Sequence, residues 1–127
     1  WTRLFSAYGP YGIKQSVLNY VIDSLRNGES PKLGSCNQIW NFIHVDDVSS
    51  ALYFISRFGI SGKNYNIASN KQRKLKDYIE VIHKMIAPVF DSNKQGYNLI
   101  VKPTALMDDT GWKENVDFDA FFKKTLS

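Results

Sequence analysis

Two kinds of apolar pattern alternate along this chain, and their order is what most restricts the fold. Residues 39–45 are rich in β-branched and aromatic side chains, which is typical of a buried strand. The next segment instead places apolar residues every three or four positions, which is typical of one face of a helix. Because strand-like segments and helix-like segments follow one another repeatedly, the sequence predicts a mixed α/β fold. With 127 residues, we expect one domain with one core, spanning residues 1–127.

Strands are predicted at residues 1–7, 31–33, 39–45, 64–68 and 97–101. A first helix is predicted to start at Ser16 and stop at Gly28, and a second helix to have Asp46 as its N-cap. Pro103 is predicted to occupy the first position of a later helix. The predicted inward-facing stripes of four helices are Val17, Leu18, Val21, Ile22 and Leu25; Val48, Ala51, Leu52 and Ile55; Leu75, Tyr78, Ile79, Ile82 and Ile86; and Phe118, Phe121, Phe122 and Leu126.

The net charge is modest and unevenly spread. Sixteen Lys and Arg against twelve Asp and Glu give +4, which is too small to demand a nucleic acid but compatible with a phosphorylated small molecule. Basic residues dominate positions 64–102, and acidic residues dominate positions 103–127. No apolar run reaches the roughly 18 residues of a membrane span, so a soluble protein is expected. The single cysteine, Cys36, favours a reducing compartment and hence the cytoplasm.

Few residues form a recognisable catalytic or metal-binding pattern. His44, Asp46 and Asp47 are adjacent, but strand alternation separates their side chains and capping explains the aspartates, so no metal site is predicted. His83 is interpreted as a surface histidine because no nucleophile stands near it in the sequence. The cationic run at residues 71–76 fits either a solvated face or a site that attracts a diphosphate. The sequence lacks the Gly-rich dinucleotide fingerprint and the phosphate loop that ends in Gly-Lys-Ser/Thr.

Four segments resemble one enzyme family. Residues 3–10 (RLFSAYGP) are similar to the R-x-F-N-x-Y-G-P stretch of the extended short-chain dehydrogenase/reductase family, the NAD-dependent nucleotide-sugar epimerases and dehydratases. Residues 34–48, 64–69 and 109–113 resemble its strand-into-helix segment, its Y-N-I-G motif and its closing L-G-W segment. Because the four segments keep the family's order over nearly the whole chain, the resemblance is specific. Within the family, the first and second segments look most like the branch that handles CDP-linked deoxysugars, the abequose and paratose synthase type.

The resemblance implies which part of such an enzyme this chain represents. In the family, a Rossmann lobe precedes this region and carries a Gly-rich turn and a Tyr-x-x-x-Lys pair, which serve hydride and proton transfer with NAD(P). In this chain, no tyrosine is followed four positions later by a lysine. The chain is therefore expected to be the C-terminal, substrate-binding portion, without a Rossmann lobe, without catalytic residues and inactive on its own. NAD(P) is expected to be held mainly by the lobe that the sequence lacks.

The resemblance also implies roles for individual residues. Ser6 stands at the position of the family Asn that touches the sugar diphosphate, and Asn66 matches the family's nucleotide-contacting Asn. Trp40 stands where some branches of the family have an Arg that pairs with the diphosphate. In this chain the positive charge that neutralises the diphosphate must therefore come from another residue or be weaker. Asn41 stands where an acid is common. The implied contacts are Ser6, Tyr8, Gln15, Val17, Leu18, Trp40 and Asn66 for the nucleotide sugar, and Phe5 for the cofactor.

Each implied role has a structural alternative. Trp40 would suit any core, Asn66 could satisfy a strand-edge backbone group, and Tyr8 could simply shape a turn. The leading prediction is binding of a nucleoside-diphosphate sugar in an NAD(P)-dependent epimerase, dehydratase or reductase, with the sugar and base left open. The alternatives are a non-catalytic module that binds single-stranded RNA through residues 71–76, and a degenerate scaffold. Exposed apolar surface is expected to cause self-association into a homo-oligomer, and no membrane partner is expected.

Overall fold

The computed structural model describes residues 1–86 and 99–126, which form two compact units. The first unit contains residues 1–9, 41–72 and 100–118, and the second contains residues 10–40, 73–86, 99 and 119–126. Each unit is therefore assembled from segments that are distant in sequence. Within these described ranges, no helix has the length and apolar character that crossing a membrane requires.

The described residues form six short strands and five helices, which confirms the predicted mixed α/β class. The strands are β1 (Thr2–Leu4), β2 (Ala7–Tyr8), β3 (Ile39–Trp40), β4 (Ile43–His44), β5 (Tyr65–Ile67) and β6 (Arg73–Lys74). The helices are α1 (Val17–Arg26), α2 (Val45–Phe58), α3 (Leu75–Ile86), α4 (Thr104–Thr110) and α5 (Phe118–Leu126).

Two parallel strand pairs organise the first unit, β1 with β5 and β2 with β4. The predicted strand at residues 1–7 is therefore interrupted. The Phe5 N–H donates to the Ile67 carbonyl beside β5, whereas the carbonyl of Ser6 accepts from the Ile43 N–H in β4. The chain exchanges one partner strand for another between Phe5 and Ser6, and this exchange ends β1.

The core of the first unit lies between α2, α4 and the strands β4 and β5. Its buried side chains are Ile43, Val48, Ala51, Tyr65, Ile67, Leu106 and Trp112. The predicted stripe of α2 is confirmed at Val48 and Ala51, and Ile55 is half-buried against this core. Leu52 was predicted to be inward-facing, and this is wrong because its side chain is 46% exposed. The inward face is centred on Ala51, and Leu52 lies on the flank of the helix.

The N-terminus of α2 is capped two residues earlier than the sequence predicts. His44 is the N-cap, in an extended conformation, and its Nδ1 accepts from the Asp46 N–H at 3.2 Å. The prediction that Asp46 is the N-cap is therefore wrong, because Val45 is already helical. Asp47 is almost completely buried, and its two carboxylate oxygens accept the N–H groups of Asn115 and Val116, both at 2.8 Å. The Asp47 carboxylate thus joins the first turn of α2 to the segment before α5.

The second unit is built on the packing of α1 against α3, beside the antiparallel pair of β3 and β6. The predicted boundaries of α1 are confirmed. The Ser16 hydroxyl accepts from the Asn19 N–H at 3.2 Å, and Gly28 has a φ of +73° just beyond the helix. The Ser16 cap and the turn at Gly28 provide hydrogen-bond partners for backbone groups at the two ends of α1. The buried apolar side chains of this unit are Leu18, Val21, Ile22, Leu25, Cys36, Leu75, Tyr78, Ile79, Ile82 and Phe122.

Three further strand predictions need correction. Residues 31–33 are not a strand, and the Lys32 N–H instead donates to the Tyr20 hydroxyl at 3.0 Å. The strand predicted at residues 39–45 is divided into β3 and β4, because the buried residue Asn41 turns its amide toward backbone groups of another segment. Residues 99–101 are not a strand, and the rest of that prediction lies outside the described residues. The strand predicted at residues 64–68 is confirmed by β5.

The helical predictions differ from the structure in three further details. His83 was interpreted as a surface histidine, and this is wrong because its side chain is only 4% exposed. It lies four residues after Ile79, and therefore on the buried face of α3. Pro103 is the N-cap of α4 instead of its first residue. The outermost positions of the predicted stripes, Ile86, Phe121 and Leu126, are half-buried.

The Asp47→Asn substitution should lower the free energy of unfolding by about 1–3 kcal/mol, since one of the two buried carboxylate oxygens that accept backbone N–H groups is replaced by an NH₂ group. The matched control is Asp46→Asn at the exposed neighbouring position, which should cost less than about 1 kcal/mol through weaker interaction with the helix dipole. Urea unfolding of both variants measures the difference. Equal losses would show that the Asp47 contacts do not hold the unit together.

Candidate functional site

The carboxyl ends of β1 and β5 meet at the same edge of the first unit, because the two strands are parallel. Phe5 and Ser6 follow β1 at this edge, and Ala68 and Ser69 follow β5. In open α/β sheets, ligands bind beyond the carboxyl ends of the strands. Two of the implied contact residues, Phe5 and Ser6, therefore lie at the edge where this kind of sheet binds ligands, and both are half-buried.

Ser6 has a backbone conformation that is uncommon for a residue with a side chain. Its φ is +28°, in the left-handed region that glycine and asparagine tolerate best. The cause is the exchange of partner strands, since the chain must bond to Ile67 immediately before Ser6 and to Ile43 at Ser6 itself. Backbone strain of this kind costs about 1–3 kcal/mol and is concentrated at functional sites.

Asn66 lies at the centre of β5 and faces away from the core. Its neighbours Tyr65 and Ile67 are buried, whereas Asn66 is half-buried, which confirms the predicted alternation. The strand register places Arg3 directly beside it, and Arg3 Nη1 donates to Asn66 Oδ1 at 3.5 Å. The proximity of Arg3 to Asn66 is not predictable from the sequence, because the register of β1 on β5 cannot be read from either segment alone.

Tyr8 is in the interior of the first unit. Its ring contacts those of Phe42, His44 and Phe118, with centroid distances of 6.4, 5.1 and 5.0 Å. The side chain is nearly fully buried, so these contacts are those of a packed aromatic residue. A Cβ at the following Gly9 would lie 2.6 Å from Val45 Cγ2, so a larger residue there would have to displace the Val45 side chain.

Asn41 is fully buried, and its side-chain amide makes the hydrogen bonds to backbone groups that a paired strand would otherwise make. Its Oδ1 accepts the Ser69 N–H at 2.8 Å, while its Nδ2 donates to the carbonyls of Ser69 at 2.7 Å and Val101 at 3.3 Å. An ionised acid could accept at this position but could not donate. The geometry therefore explains why this chain has an amide where the resembling family commonly has an acid.

The other implied contacts, Gln15, Val17, Leu18 and Trp40, belong to the second unit. Gln15 is exposed before α1, and Val17 is half-buried in its first turn. Leu18 is only 3% exposed, on the helix that packs against α3, so its surroundings are those of a core residue. Trp40 is half-buried at the end of β3, directly across from Arg73 of β6.

The cationic run at residues 71–76 is engaged by other parts of the protein. In the first unit, Lys71 Nζ lies 2.7 Å from Asp117 Oδ2. In the second unit, both terminal nitrogens of Arg73 donate to the Asp119 carboxylate, at 3.2 and 2.5 Å. The acidic C-terminal segment thus neutralises two of the four cations in this run. Such pairing weakens the interpretation of the run as an open diphosphate-binding surface.

The N-terminus of α3 is closed by main-chain contacts within the second unit. The N–H groups of Leu75 and Lys76 donate to the carbonyls of Gln38 and Cys36, at 2.9 and 2.8 Å. Asp77 Oδ2 accepts the Lys74 N–H at 3.2 Å. Because these donors already have acceptors, the α3 N-terminus does not provide the usual helix-end cradle for a phosphate.

Two carboxylates of the first unit have shifted proton affinities. The salt bridge with Lys63 Nζ at 2.6 Å lowers the pKa of Asp109, and a hydrogen bond from the Tyr65 hydroxyl acts in the same direction. Burial raises the pKa of Glu114, which accepts the Asn70 N–H at 3.0 Å. In the described parts of the chain, no three His, Cys, Asp or Glu side chains come together as metal ligands. Through its contacts with Lys63 and Tyr65, Asp109 links α4 to the start of β5.

The sequence model of the NAD dependent epimerase/dehydratase family matches residues 1–68, which is more than half of the chain. The matched region contains the edge with Ser6, the buried Asn41 and the strand with Asn66. This protein belongs to the NAD-dependent epimerase/dehydratase family.

Curated relatives are nucleotide-sugar enzymes by name. The chain is 30% identical to dTDP-glucose 4,6-dehydratase of Mycolicibacterium smegmatis, over 94% of this chain and 39% of the relative. It is 26% identical to CDP-abequose synthase of Salmonella muenchen, over 98% of this chain and 46% of the relative. The chain thus spans less than half the length of the curated relatives that it matches.

Solved structures share the fold. The chain superposes on the Bordetella bronchiseptica enzyme WbmF, determined in complex with NAD⁺ and UDP, with a TM-score of 0.82 and 21% identity. The match covers 98% of this chain and 44% of WbmF. The arrangement of helices and short strands described above is therefore that of the corresponding part of an extended short-chain dehydrogenase/reductase enzyme.

The Ser6→Gly substitution should leave the free energy of unfolding unchanged or raise it by up to about 1 kcal/mol, because glycine adopts positive φ without strain. The matched control is Ser49→Gly at an exposed position in α2, which should cost about 0.5–1 kcal/mol. Thermal and urea unfolding would measure both. A Ser6→Gly loss as large as that of Ser49→Gly would show that Ser6 is not strained.

Proposed function

We propose that this chain binds a nucleoside-diphosphate sugar, as the substrate-binding portion of an NAD(P)-dependent epimerase, dehydratase or reductase. Its contribution is orientation: it would hold the sugar in place while a nicotinamide held elsewhere exchanges hydride with it. In this proposal the isolated chain has no activity of its own, and the single cysteine is in keeping with a cytoplasmic enzyme.

The observation that carries the proposal is the strained Ser6 at the carboxyl edge of β1 and β5. Strain at a half-buried polar residue is retained where the surrounding structure demands it, and such places are commonly ligand sites. Asn66 supports the same interpretation, because β5 turns its amide away from the core. An amide can both donate to and accept from the hydroxyls, phosphates and base edges of a nucleotide sugar.

The names of the relatives support the class of ligand. The curated relatives act on dTDP- and CDP-linked sugars by name, and WbmF was determined with UDP.

The edge after β1 also offers one contact for the cofactor. Phe5 is half-buried there and offers an aromatic ring that could pack against a nicotinamide. The Gly-rich turn that binds the pyrophosphate of NAD(P) is not found in this sequence. Phe5 would therefore add one contact to a cofactor that is held mainly by other residues.

The alternative of an RNA-binding module has less support. It requires cations and aromatic rings that are both available to a single strand. Lys71 and Arg73 are instead paired with Asp117 and Asp119, and Tyr8 is buried among other rings. The binding of a small anionic ligand is therefore the better interpretation.

A panel of CDP-, UDP-, dTDP- and GDP-sugars, tested by ligand-observed NMR on the chain, would examine the proposal directly. We expect saturation transfer to at least one nucleotide sugar. The Asn66→Ala substitution should weaken binding of that ligand about tenfold, equivalent to roughly 1.4 kcal/mol. Unfolding temperature should change little, because Asn66 faces away from the core.

Asn64→Ala is the matched control, since Asn64 is an exposed asparagine just before the same strand. It should bind like the unaltered chain. Absence of binding to every member of the panel by a folded sample would refute the proposal. Equal affinities of the Asn64 and Asn66 variants would remove Asn66 from the site.

A further inference from the structure

Helix α2 has a regular pattern on the side that faces away from the core of the first unit. Four exposed residues form a stripe along this side, here called the outer stripe: Val45, Ser49, Leu52 and Ser56. Their successive spacings of four, three and four residues are those of the seam along which two helices pack in a coiled coil. Ala51, which is buried in the core, lies on the other side of the helix. The outer stripe therefore has the pattern of a second surface on which a helix can pack.

The two serines of the outer stripe are already satisfied within α2. Ser49 Oγ donates to the Val45 carbonyl at 3.0 Å, and Ser56 Oγ donates to the Tyr53 carbonyl at 2.7 Å. A serine hydroxyl in a helix commonly makes such a bond to the preceding turn. Because each hydroxyl donor has an acceptor, covering the stripe would not leave an unpaired buried donor, which is the main penalty for burying a polar group.

The apolar side chains on this side of α2 are exposed as a group. Val45 and Leu52 belong to the outer stripe, and Tyr53 lies beside it and is 61% exposed. Single exposed apolar residues are ordinary on a protein surface, whereas adjacent ones commonly mark a surface that contacts another protein. Burial of these three side chains between two helices would favour association by about 25 cal/mol for each Å² removed from water.

Two opposite charges flank the outer stripe near its two ends. Asp46 is in the first turn of α2, and Arg57 is in the last turn. They are eleven residues apart, which is about three helical turns, so both lie on the same flank of the helix and about 16 Å apart along its axis. Both residues are exposed, and the Asp46 side chain is 79% exposed. Each charge can therefore meet a partner from outside the chain.

These charges select the direction of a partner helix. If a second copy of α2 packs antiparallel, two-fold symmetry brings the first turn of each helix to the last turn of the other. Asp46 of each copy then faces Arg57 of the other copy, and two attractive contacts form. A parallel arrangement would instead place each charge beside the same charge of the second copy, which is repulsive. The charge pattern of α2 is therefore complementary to itself in the antiparallel direction.

The outer stripe is also complementary to itself in this direction. Antiparallel pairing about the middle of the stripe places Val45 opposite Ser56, and Ser49 opposite Leu52. A larger side chain then faces a small one at each position, which allows the two helices to approach closely and to fill the space between them. Parallel pairing would place serine opposite serine and leucine opposite leucine, which fills that space less evenly.

We propose that two copies of this chain associate through the outer stripe of α2, packed antiparallel, with Asp46 of each copy paired with Arg57 of the other. The proposal does not rest on the proposed function, and it adds a surface and a direction to the self-association expected from the sequence. One helix of 14 residues offers less than the about 800 Å² per partner that stable interfaces bury. The dimer is therefore weak and forms as the protein concentration rises.

The first test is sedimentation of the chain over a wide range of concentrations, where we expect a reversible equilibrium between monomer and dimer. Leu52→Asp places a charge in the middle of the outer stripe and should weaken self-association at least about tenfold, equivalent to roughly 1.4 kcal/mol. The matched control is Leu4→Asp, since Leu4 is an exposed leucine of β1 in the same unit. It should change self-association less than about twofold.

The second test changes the charges and reports the direction of packing. Asp46→Lys alone and Arg57→Glu alone should each weaken self-association several-fold, because each creates two contacts between like charges. A mixture of these two single variants should recover the association of the unaltered chain, since both contacts between the two different copies then join opposite charges. Circular dichroism and the unfolding temperature verify that each variant is folded.

A chain that stays monomeric at every concentration would overturn the proposal and leave the outer stripe to a different partner. Association that Leu52→Asp does not weaken, or that proceeds beyond the dimer, would overturn it as well. If the mixed charge variants associate no better than either variant alone, the antiparallel pairing is wrong. Should Leu52→Asp fail to fold, the mixture of charge variants decides alone.

Discussion

The change of partner strand between Phe5 and Ser6 is the constraint on which the first unit depends. β1 bonds to β5 up to Phe5, and the next residue already bonds to β4. This exchange produces two parallel pairs from one short segment and places a strained residue at their carboxyl edge. A continuous seven-residue strand would place its carboxyl end beyond Ala7 and would not require a positive φ at Ser6. The candidate site therefore follows from the backbone path before any side chain is considered.

Buried polar side chains maintain this path. The Asn41 amide accepts the Ser69 N–H and donates to the Ser69 carbonyl. The Asp47 carboxylate accepts two backbone N–H groups from the segment before α5. Each satisfies main-chain groups that no strand or helix pairs, so each holds together segments far apart in sequence. Asn41 and Asp47, which lie within one of the family-like segments, thus have structural roles.

Periodicity predicted the helices well because the apolar face of each helix is encoded within a single segment. The caps of α1 and the stripe of α3 are examples, and the position of His83 was available in the same stripe. The pairings of Arg3 with Asn66 and of Arg73 with Trp40 could not be predicted, since each depends on the register of segments more than thirty residues apart. The acidic tail was visible in the sequence, but its specific partners were not.

The proposal on which the functional interpretation rests is that the first unit binds a nucleotide sugar at the edge beyond β1 and β5. The most direct measurement is a ¹⁵N–¹H correlation spectrum of the chain titrated with the best ligand of the panel. We expect saturable shifts at the amides of Ser6 and Asn66, with the exposed face of α2 unaffected. A folded chain whose Ser6 and Asn66 signals do not move at saturating ligand would contradict it.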